Sequence, residues 1–471
     1  MAAHVGTLAG SAKMIRFLGA LMVKRSTFNL LLAVAVANGC SGYSAAGEEL
    51  SSWSTETAVS GEAGPVIFPS VSATSTLSYE NHLTLHDAVS RVLAYNPSMR
   101  AAYHEIQARD GEAFQASRRP NPELLLEVEN FGGSKDKSGF DVAEETASLT
   151  QLIELGGKRY ARLQAAQLET SLATWDYEGV RVQMATLAAQ SFVDVLTAQE
   201  RVKVLGEFVS IAEKTRKSVD ARVKAGKASP IELDRALVAA ARARALQGAE
   251  KARLDAAKRK LSTLWGAHAP DFGAAAGRLG NGTSVPSVEA LKTYLNSNPT
   301  LARWSDEVGR RAAQVDLENA KSIPDLRVGA GVRQFNENDS TAIVASVAIP
   351  LPIFDRNDGN IAAAESRLEK AETDALAVRD ELLRALIDAV GELEVAATQL
   401  NGLKRDVLPV AQTAFDRTKI GYDEGKFDLL NVLDVQRSVF EVRLDLLNAR
   451  ADYEKARVKV EALIGRDIKE F

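Results

Sequence analysis

Five histidines, one cysteine and two polar turns are the parts of this 471-residue chain whose types and spacing could do chemistry. His82 and His86 stand four apart, the spacing of two metal ligands on one helix face. Thr84, however, reads as the N-cap of the helix that begins there, which leaves His82 outside it. His104 and His268 stand alone, and His4 lies near the start. The run "DRNDGN" (residues 355–360) has the composition of a calcium loop, but Gly359 and Asn360 reverse the expected order and no Glu follows at the right spacing. "LGGKR" (residues 155–159) lacks the spacing and the Ser/Thr of a phosphate loop. No nucleophile stands with a base. The side chains therefore imply no catalysis, no cofactor and no metal site.

The elements that would have to position such groups are more informative. Basic and acidic residues nearly balance, 57 against 62 for a net charge of −5, so nucleic acid is not an expected partner. Aromatics are scarce at 6%, which suits helices packed through Leu, Val and Ala. Residues 1–39 read as a signal peptide, with Lys24 and Arg25, the apolar run Phe28 to Ala37, and small residues after it. Met14 or Met22 makes a more ordinary start than Met1. Cys40 sits where a bacterial lipoprotein signal places its lipidated residue, although Ala37 stands where Leu is usual. The alternative is that Cys40 is discarded with an ordinary signal peptide. On either reading the chain is exported.

The rest of the chain is a duplication. Asn96-Pro97 precedes Pro122 by the same interval that separates Asn298-Pro299 from Pro324, and both pairs are offset by 202 positions. "RVKAGKASPIEL" (residues 222–233) matches "GYDEGKFDLLNV" (residues 421–432) at an offset of 199. Each half repeats helix, strand, loop, strand, long helix, tight turn, helix. The halves are expected over residues 83–266 and 287–471, joined by a Gly/Ala/Ser-rich linker at 267–286, with an extended arm over 40–82. Between Gly157 and Ala225 there is no proline. Leu168, Trp175, Val182, Ala189 and Leu196 fall at seven-residue steps, as do Leu386, Leu393, Leu400 and Val407, which predicts supercoiled rods of about 100 Å. Pro409 is expected to kink the second rod. Shorter helices are expected at about 85–118, 229–265, 287–320 and 427–465, two of which end to end equal one rod.

The strands decide the class. Leu124, Leu126 and Val128 alternate with Glu123, Glu127 and Glu129, and Leu326, Val328, Ala330 and Val332 alternate with Arg327, Gly329, Gly331 and Arg333. Returning strands are expected at about 145–155 and 341–351. One apolar face and a length near ~9–11 residues suit strands that cross an outer membrane. Four strands cannot close a barrel, so several copies must contribute. Gly156 and Gly157 in the first half, and Pro350 and Pro352 in the second, mark corners where a strand turns into a long helix.

Over roughly residues 80–470 the chain resembles the TolC family of outer-membrane efflux channels, and within it the cobalt-zinc-cadmium type of heavy-metal efflux factor. "LTLHDAVSRVLAYNP", "QLIELGGKR" and "IPLPIFDRNDGNI" carry the resemblance. It implies an α+β membrane protein: a homotrimer whose four strands per protomer make a twelve-stranded barrel in outer-membrane lipid, continuous with a periplasmic α-helical barrel. The implied function is a passive exit duct, joined through a periplasmic adaptor to an inner-membrane pump of the resistance-nodulation-division type. Gly226, Lys227, Gly425 and Lys426 would form the adaptor-facing tips. By position, Tyr422 matches a gate tyrosine, and Asp428, Asn431 and Asp434 occupy the region of acidic rings at the periplasmic aperture, with Asn431 where some relatives have Asp. The competing class is an exported coiled-coil scaffold or the adaptor itself, which carries one helical hairpin rather than a duplicated plan.

Overall fold

The computed structural model describes residues 82–137, 139–280 and 285–467. The expected signal peptide, Cys40 and the expected arm up to residue 81 lie outside them. Strand β1 (His82–Leu83) leads to α1 (Leu85–Tyr95) and α2 (Pro97–Ala116), then β2 (Glu123–Glu129), β3 (Glu144–Ile153), α3 (Lys158–Lys224) and α4 (Pro230–Thr263). After β4 (Ala274–Ala275) come α5 (Val288–Leu291), a short 3-10 turn, α6 (Pro299–Lys321), β5 (Leu326–Phe335) and β6 (Ser340–Ala348). The chain then follows α7 (Asp358–Gly402), a π turn at Leu403–Val407, α8 (Leu408–Asp423) and α9 (Leu429–Ile464). No helix among the described residues is long and apolar enough to cross a membrane.

Helix α3 has 67 residues, about 100 Å at ~1.5 Å each. It starts from Gly157 in the left-handed region at φ 76°, and α7 starts likewise from Asn357 at φ 66°. Thr84 caps α1 through a reciprocal box with Asp87. The helix expected over 85–118 is in fact two, because Pro97 disfavours helical backbone at Asn96, which is extended at ψ 130°. The same break falls at Asn298, also extended, ahead of Pro299.

These two asparagines splice the wall. The Asn96 side chain accepts from Ser98 N and caps α2, while its Nδ2 donates to the Leu264 carbonyl at the end of α4, at 2.7 Å. Asn298 accepts from Thr300 N and donates to the Leu463 carbonyl at the end of α9, at 3.0 Å. So α2 and α4 stack end to end along α3, and α6 and α9 stack end to end between α3 and the α7–α8 rod. Beside the first joint a core forms from Leu83, Val92, Phe192, Leu261, Phe272 and their neighbours. On the other side Leu386, Leu393 and Leu400, fully buried at heptad steps, pack with Leu291, Leu446 and Tyr453. Pairing of β1 with β4 ties the segment between the halves to the start of the first. Glu307 of α6 is buried, which works against its charge. Its bonds to Arg310 and Arg311, at 2.7 and 2.8 Å, outweigh that and hold the carboxyl below its ordinary range.

At one end of α3 lies the sheet, in order β2-β3-β5-β6, antiparallel throughout, with β2 and β6 as free edges among the described residues. Register confirms the alternation. The row Glu127, Thr146, Arg333, Ala342 lies on one face, and Leu126, Ala147, Val332, Ile343 on the other. Leu124, Leu126, Ile343 and Val347 of that apolar face are exposed. On the polar face Arg333 bonds Thr146 and pairs with Glu129 and Glu144, and Arg327 pairs with Glu123.

The candidate periplasmic tip

At the other end of α3 the chain makes two hairpin turns, and the duplication repeats their main backbone bonds. In the first, Gly226 is left-handed at φ 66°, Lys227 N donates to Arg222 O at 2.8 Å and Gly226 N to Val223 O at 2.9 Å. In the second, Gly425 is left-handed at φ 78°, Lys426 N donates to Gly421 O at 2.7 Å and Gly425 N to Tyr422 O at 3.0 Å. This is the helix ending that satisfies the last carbonyls and needs a residue free of the Cβ penalty at the turn. The next helix then starts from a cap. Ser229 forms a box with Glu232 ahead of Pro230, and Asp428 accepts from Asn431 N at 3.0 Å. Gly226, Lys227, Gly425 and Lys426 are all exposed at these turns. At Gly421 an added Cβ would stand 2.4 Å from the Phe427 ring, so glycine lets that ring lie against the helix end.

Tyr422 joins the two turns. Its ring is buried with Val219, Ala236, Leu429 and Val432, which come from α3, α4 and α9. Arg222 of the first turn lies over the ring at 4.5 Å and donates to the Tyr422 carbonyl at 3.4 Å. Burial raises the phenol pKa, against an opposing pull from Arg222. Among the described residues the hydroxyl itself has no hydrogen-bond partner. In this arrangement the ring, and not its oxygen, fastens one turn to the other.

The acidic candidates separate by role. Asp428 is engaged as the cap of α9, where an anion also meets the positive helix end. Asn431 and Asp434 are exposed one turn apart on α9, and Asp434 pairs with Arg437 at 3.3 Å. The structure thus buries Tyr422 in the tip packing, engages Asp428 as an exposed cap, and leaves Asn431 and Asp434 on the surface. Arg222 was not among the candidates. It lies within the matched turn sequence, yet no spacing rule connects it with a tyrosine 200 positions away. At the opposite end, Gly156 and Gly157 are both left-handed, and a Cβ on Gly156 would meet Ile323 at 2.8 Å. Lys158 and Leu155 N both bond Asp325, which locks the first strand-to-helix corner. At the second, the chain leaves β6 through Pro350 and Pro352, and Asn357 Nδ2 donates to Glu318. Among the described residues no group of His, Cys, Asp and Glu could hold a metal ion.

With this geometry in place, the model of the family described as "Outer membrane efflux protein" matches residues 88–267 and 290–466, one segment for each half. The cobalt-zinc-cadmium resistance protein CzcC of Cupriavidus metallidurans is 38% identical over 384 residues, covering 82% of this chain and 90% of that one. The nickel-cobalt-cadmium resistance protein NccC of Alcaligenes xylosoxydans xylosoxydans is 27% identical, covering 65% and 69%. Among solved structures, CusC superimposes with a TM-score of 0.68 at 16% identity, covering 81% of this chain and 91% of that one. The outer membrane protein VceC of Vibrio cholerae gives 0.65 at 20%, covering 82% and 96%.

Proposed function

Because this chain belongs to the outer membrane efflux protein family, we propose that it is the outer-membrane exit duct of a tripartite resistance-nodulation-division efflux system for heavy-metal cations. The observation that carries the reading is the four-stranded sheet: its apolar face is exposed and both of its edges are free. Edges of that kind demand closure in lipid, and further copies of the chain supply it. A homotrimer gives twelve strands, with the spliced helices continuing below as a periplasmic tube. The duplicated plan, matched in both halves, sets aside the adaptor and scaffold alternative.

Cations of the cobalt, zinc, cadmium and nickel kind are the proposed cargo, on the strength of the similarity to CzcC and NccC. The cargo would cross as hydrated ions selected elsewhere, by the pump and adaptor. The exposed turns at Lys227 and Lys426 suit the adaptor, and Tyr422 suits a closing contact at the aperture. Asp434 and Asn431 would face the passing ions, and Cys40 would carry a lipid. Deleting the gene should lower the tolerated concentration of at least one of these four cations, with recovery when the gene is returned. Unaltered tolerance to all four, with loss of tolerance to organic compounds, would overturn the metal assignment.

The same reading places the loops "GGSKDKSG" and "NENDS" outside the cell. They join β2 to β3 and β5 to β6 at the end of the sheet farthest from the helices. A cysteine at Ser134 or Asn338 is expected to react with an impermeant thiol reagent on intact cells. Labelling that requires a breached outer membrane would reverse the orientation.

A further inference from the structure

The duplication holds a template for a joint that one copy cannot make alone. β5 repeats β2 at the offset of 202 that relates Pro324 to Pro122. Leu126 pairs with Ala147, and its counterpart Val328 pairs with Val347, so β6 repeats β3 at an offset of 200. The left-handed helix starts that follow, Gly157 and Asn357, keep the same 200. In the order β2-β3-β5-β6, the junction of β3 with β5 joins the second strand of one hairpin to the first strand of the other. Between two copies, β6 and β2 are the strands that the same junction would join, and they would meet antiparallel.

The register carries across. Leu149 pairs with Ala330 and Gln151 with Val328, so Ile349 falls opposite Val128 of the next copy and Leu351 opposite Leu126 of the next copy. Ile349 and Leu351 lie beyond the last β5–β6 pair, Arg327 with Ala348, yet they continue the two-residue step of Ile343 and Val347 on the apolar face. Leu126 and Val128 stand on that face of β2. All four side chains are exposed in the protomer, Leu351 at 74%.

The two prolines suit one edge of this segment and not the other. Asn336 N donates to Ala143 O at 3.0 Å, one step past the β3–β5 pairs. Bonded pairs of an antiparallel ladder recur every second residue, so Leu149 and Gln151 turn their amides toward β5 while Thr150 and Leu152 turn theirs away. Ile349 and Leu351, the counterparts of Leu149 and Gln151, therefore turn their amides toward the next copy. Pro350 and Pro352 match Thr150 and Leu152, so their missing N–H groups lie on the β5 side. There the chain ahead of β5 has turned off, with Asp325 bonded to Leu155 N and Lys158. The prolines end the ladder with β5 without losing a bond and leave the other edge able to pair.

We propose that residues 349–351 are a one-sided extension of β6 that becomes strand only against β2 of the next copy, with Ile349 set opposite Val128 and Leu351 opposite Leu126. The inference rests on the duct proposed above and fixes how its copies join. Each seam runs on to the strand-to-helix corner, past the last residue that β6 pairs within its own protomer. Disulfide cross-linking of the full-length protein in outer-membrane fractions tests it. A chain carrying Ile349→Cys and Val128→Cys is expected to give a reducible covalent trimer on denaturing gels, because directly opposed strand residues stand within disulfide reach. Val128→Cys combined with Val347→Cys or with Leu351→Cys should give about tenfold less, since such diagonal neighbours are ~7–8 Å apart. As a second readout, Ile349→Pro removes an N–H from the seam and should lower detergent-resistant oligomer about tenfold, whereas Ile349→Ala keeps that N–H and should stay within about twofold of the parent. A shifted pair that cross-links as fully as the opposed pair overturns the register. An Ile349→Pro chain that assembles like Ile349→Ala overturns the one-sided strand. Intact oligomer with none of the three cross-links overturns the seam and leaves the duct standing, whereas a parent chain that forms no oligomer overturns both.

Discussion

Gly331→Val will leave about tenfold less assembled, detergent-resistant oligomer in the outer membrane than the parent chain. Gly331 sits in the middle of β5, paired with Ser148 on one side and Val344 on the other. A Cβ at this position would stand 2.3 Å from the Ala147 carbonyl oxygen and 2.6 Å from the Ser148 Cα. These are backbone atoms of the neighbouring strand, so no rotamer change makes room and the ladder itself must part. A strand forced away at its centre exposes unpaired amides where lipid can satisfy none of them. Ala330→Val is the control, since Ala330 lies on the opposite, apolar face of the same strand. Heat-dependent mobility on gels, read on outer-membrane fractions, compares the two. Equal oligomer from Gly331→Val and Ala330→Val would show that the sheet tolerates the side chain and that its close contact at Gly331 is unimportant.

Asn298→Ala will lower the unfolding free energy by about 2–4 kcal/mol, and Asn96→Ala by a similar amount. Each change removes a helix cap, at roughly 0.5–2 kcal/mol, and leaves a carbonyl of the stacked partner helix without its donor, at roughly 1–3 kcal/mol. Both asparagines are about as buried as core leucines, with 7% exposure each, so water does not replace the lost bonds freely. Asn298→Asp separates the two effects. The carboxylate keeps the cap on Thr300 N but turns an acceptor toward the Leu463 carbonyl, so the joint is lost and the cap kept. Denaturant midpoints should rank parent above both variants, and the double change Asn96→Ala with Asn298→Ala should be additive because the sites share no partner. An Asn298→Asp protein as stable as the parent would mean that the end-to-end bond contributes nothing.

The strands and rods were legible because each obeys one period. Residues 124, 126 and 128 alternate with glutamates whatever surrounds them, and Leu386, Leu393 and Leu400 keep their seven-residue step. The corners and tips were legible from their glycines and prolines, which answer to local backbone geometry. The breaks at Asn96 and Asn298 were visible as landmarks of the duplication but read as helix interiors. Their role depends on Leu264 and Leu463, carbonyls about 165 positions away, and no local rule reaches that far. At the tip the same limit applies. Asp428 was read as a member of an acidic ring, although its place before "LLNV" also fits a cap, and the structure gives it that bond. The contact of Arg222 with Tyr422 joins two hairpins, and only the packing of α3 against α8 and α9 creates it.

The two asparagine joints also bear on how the molecule carries load. In each half a long rod, unbroken in α3 and interrupted by the π turn between α7 and α8, runs beside a spliced pair, as a full-length stave lies beside two short ones in a cask. A bending force along the axis passes through α3, whose 67 residues have no break. A twisting force finds the weaker element, a single amide-to-carbonyl bond between stacked helix ends. The duplication set both bonds at the same position in their halves, between the start of one helix and the end of its stacked partner. Torque that enters at the tips through α4 and α9 therefore meets a joint before it reaches α2, α6 and the four-stranded sheet.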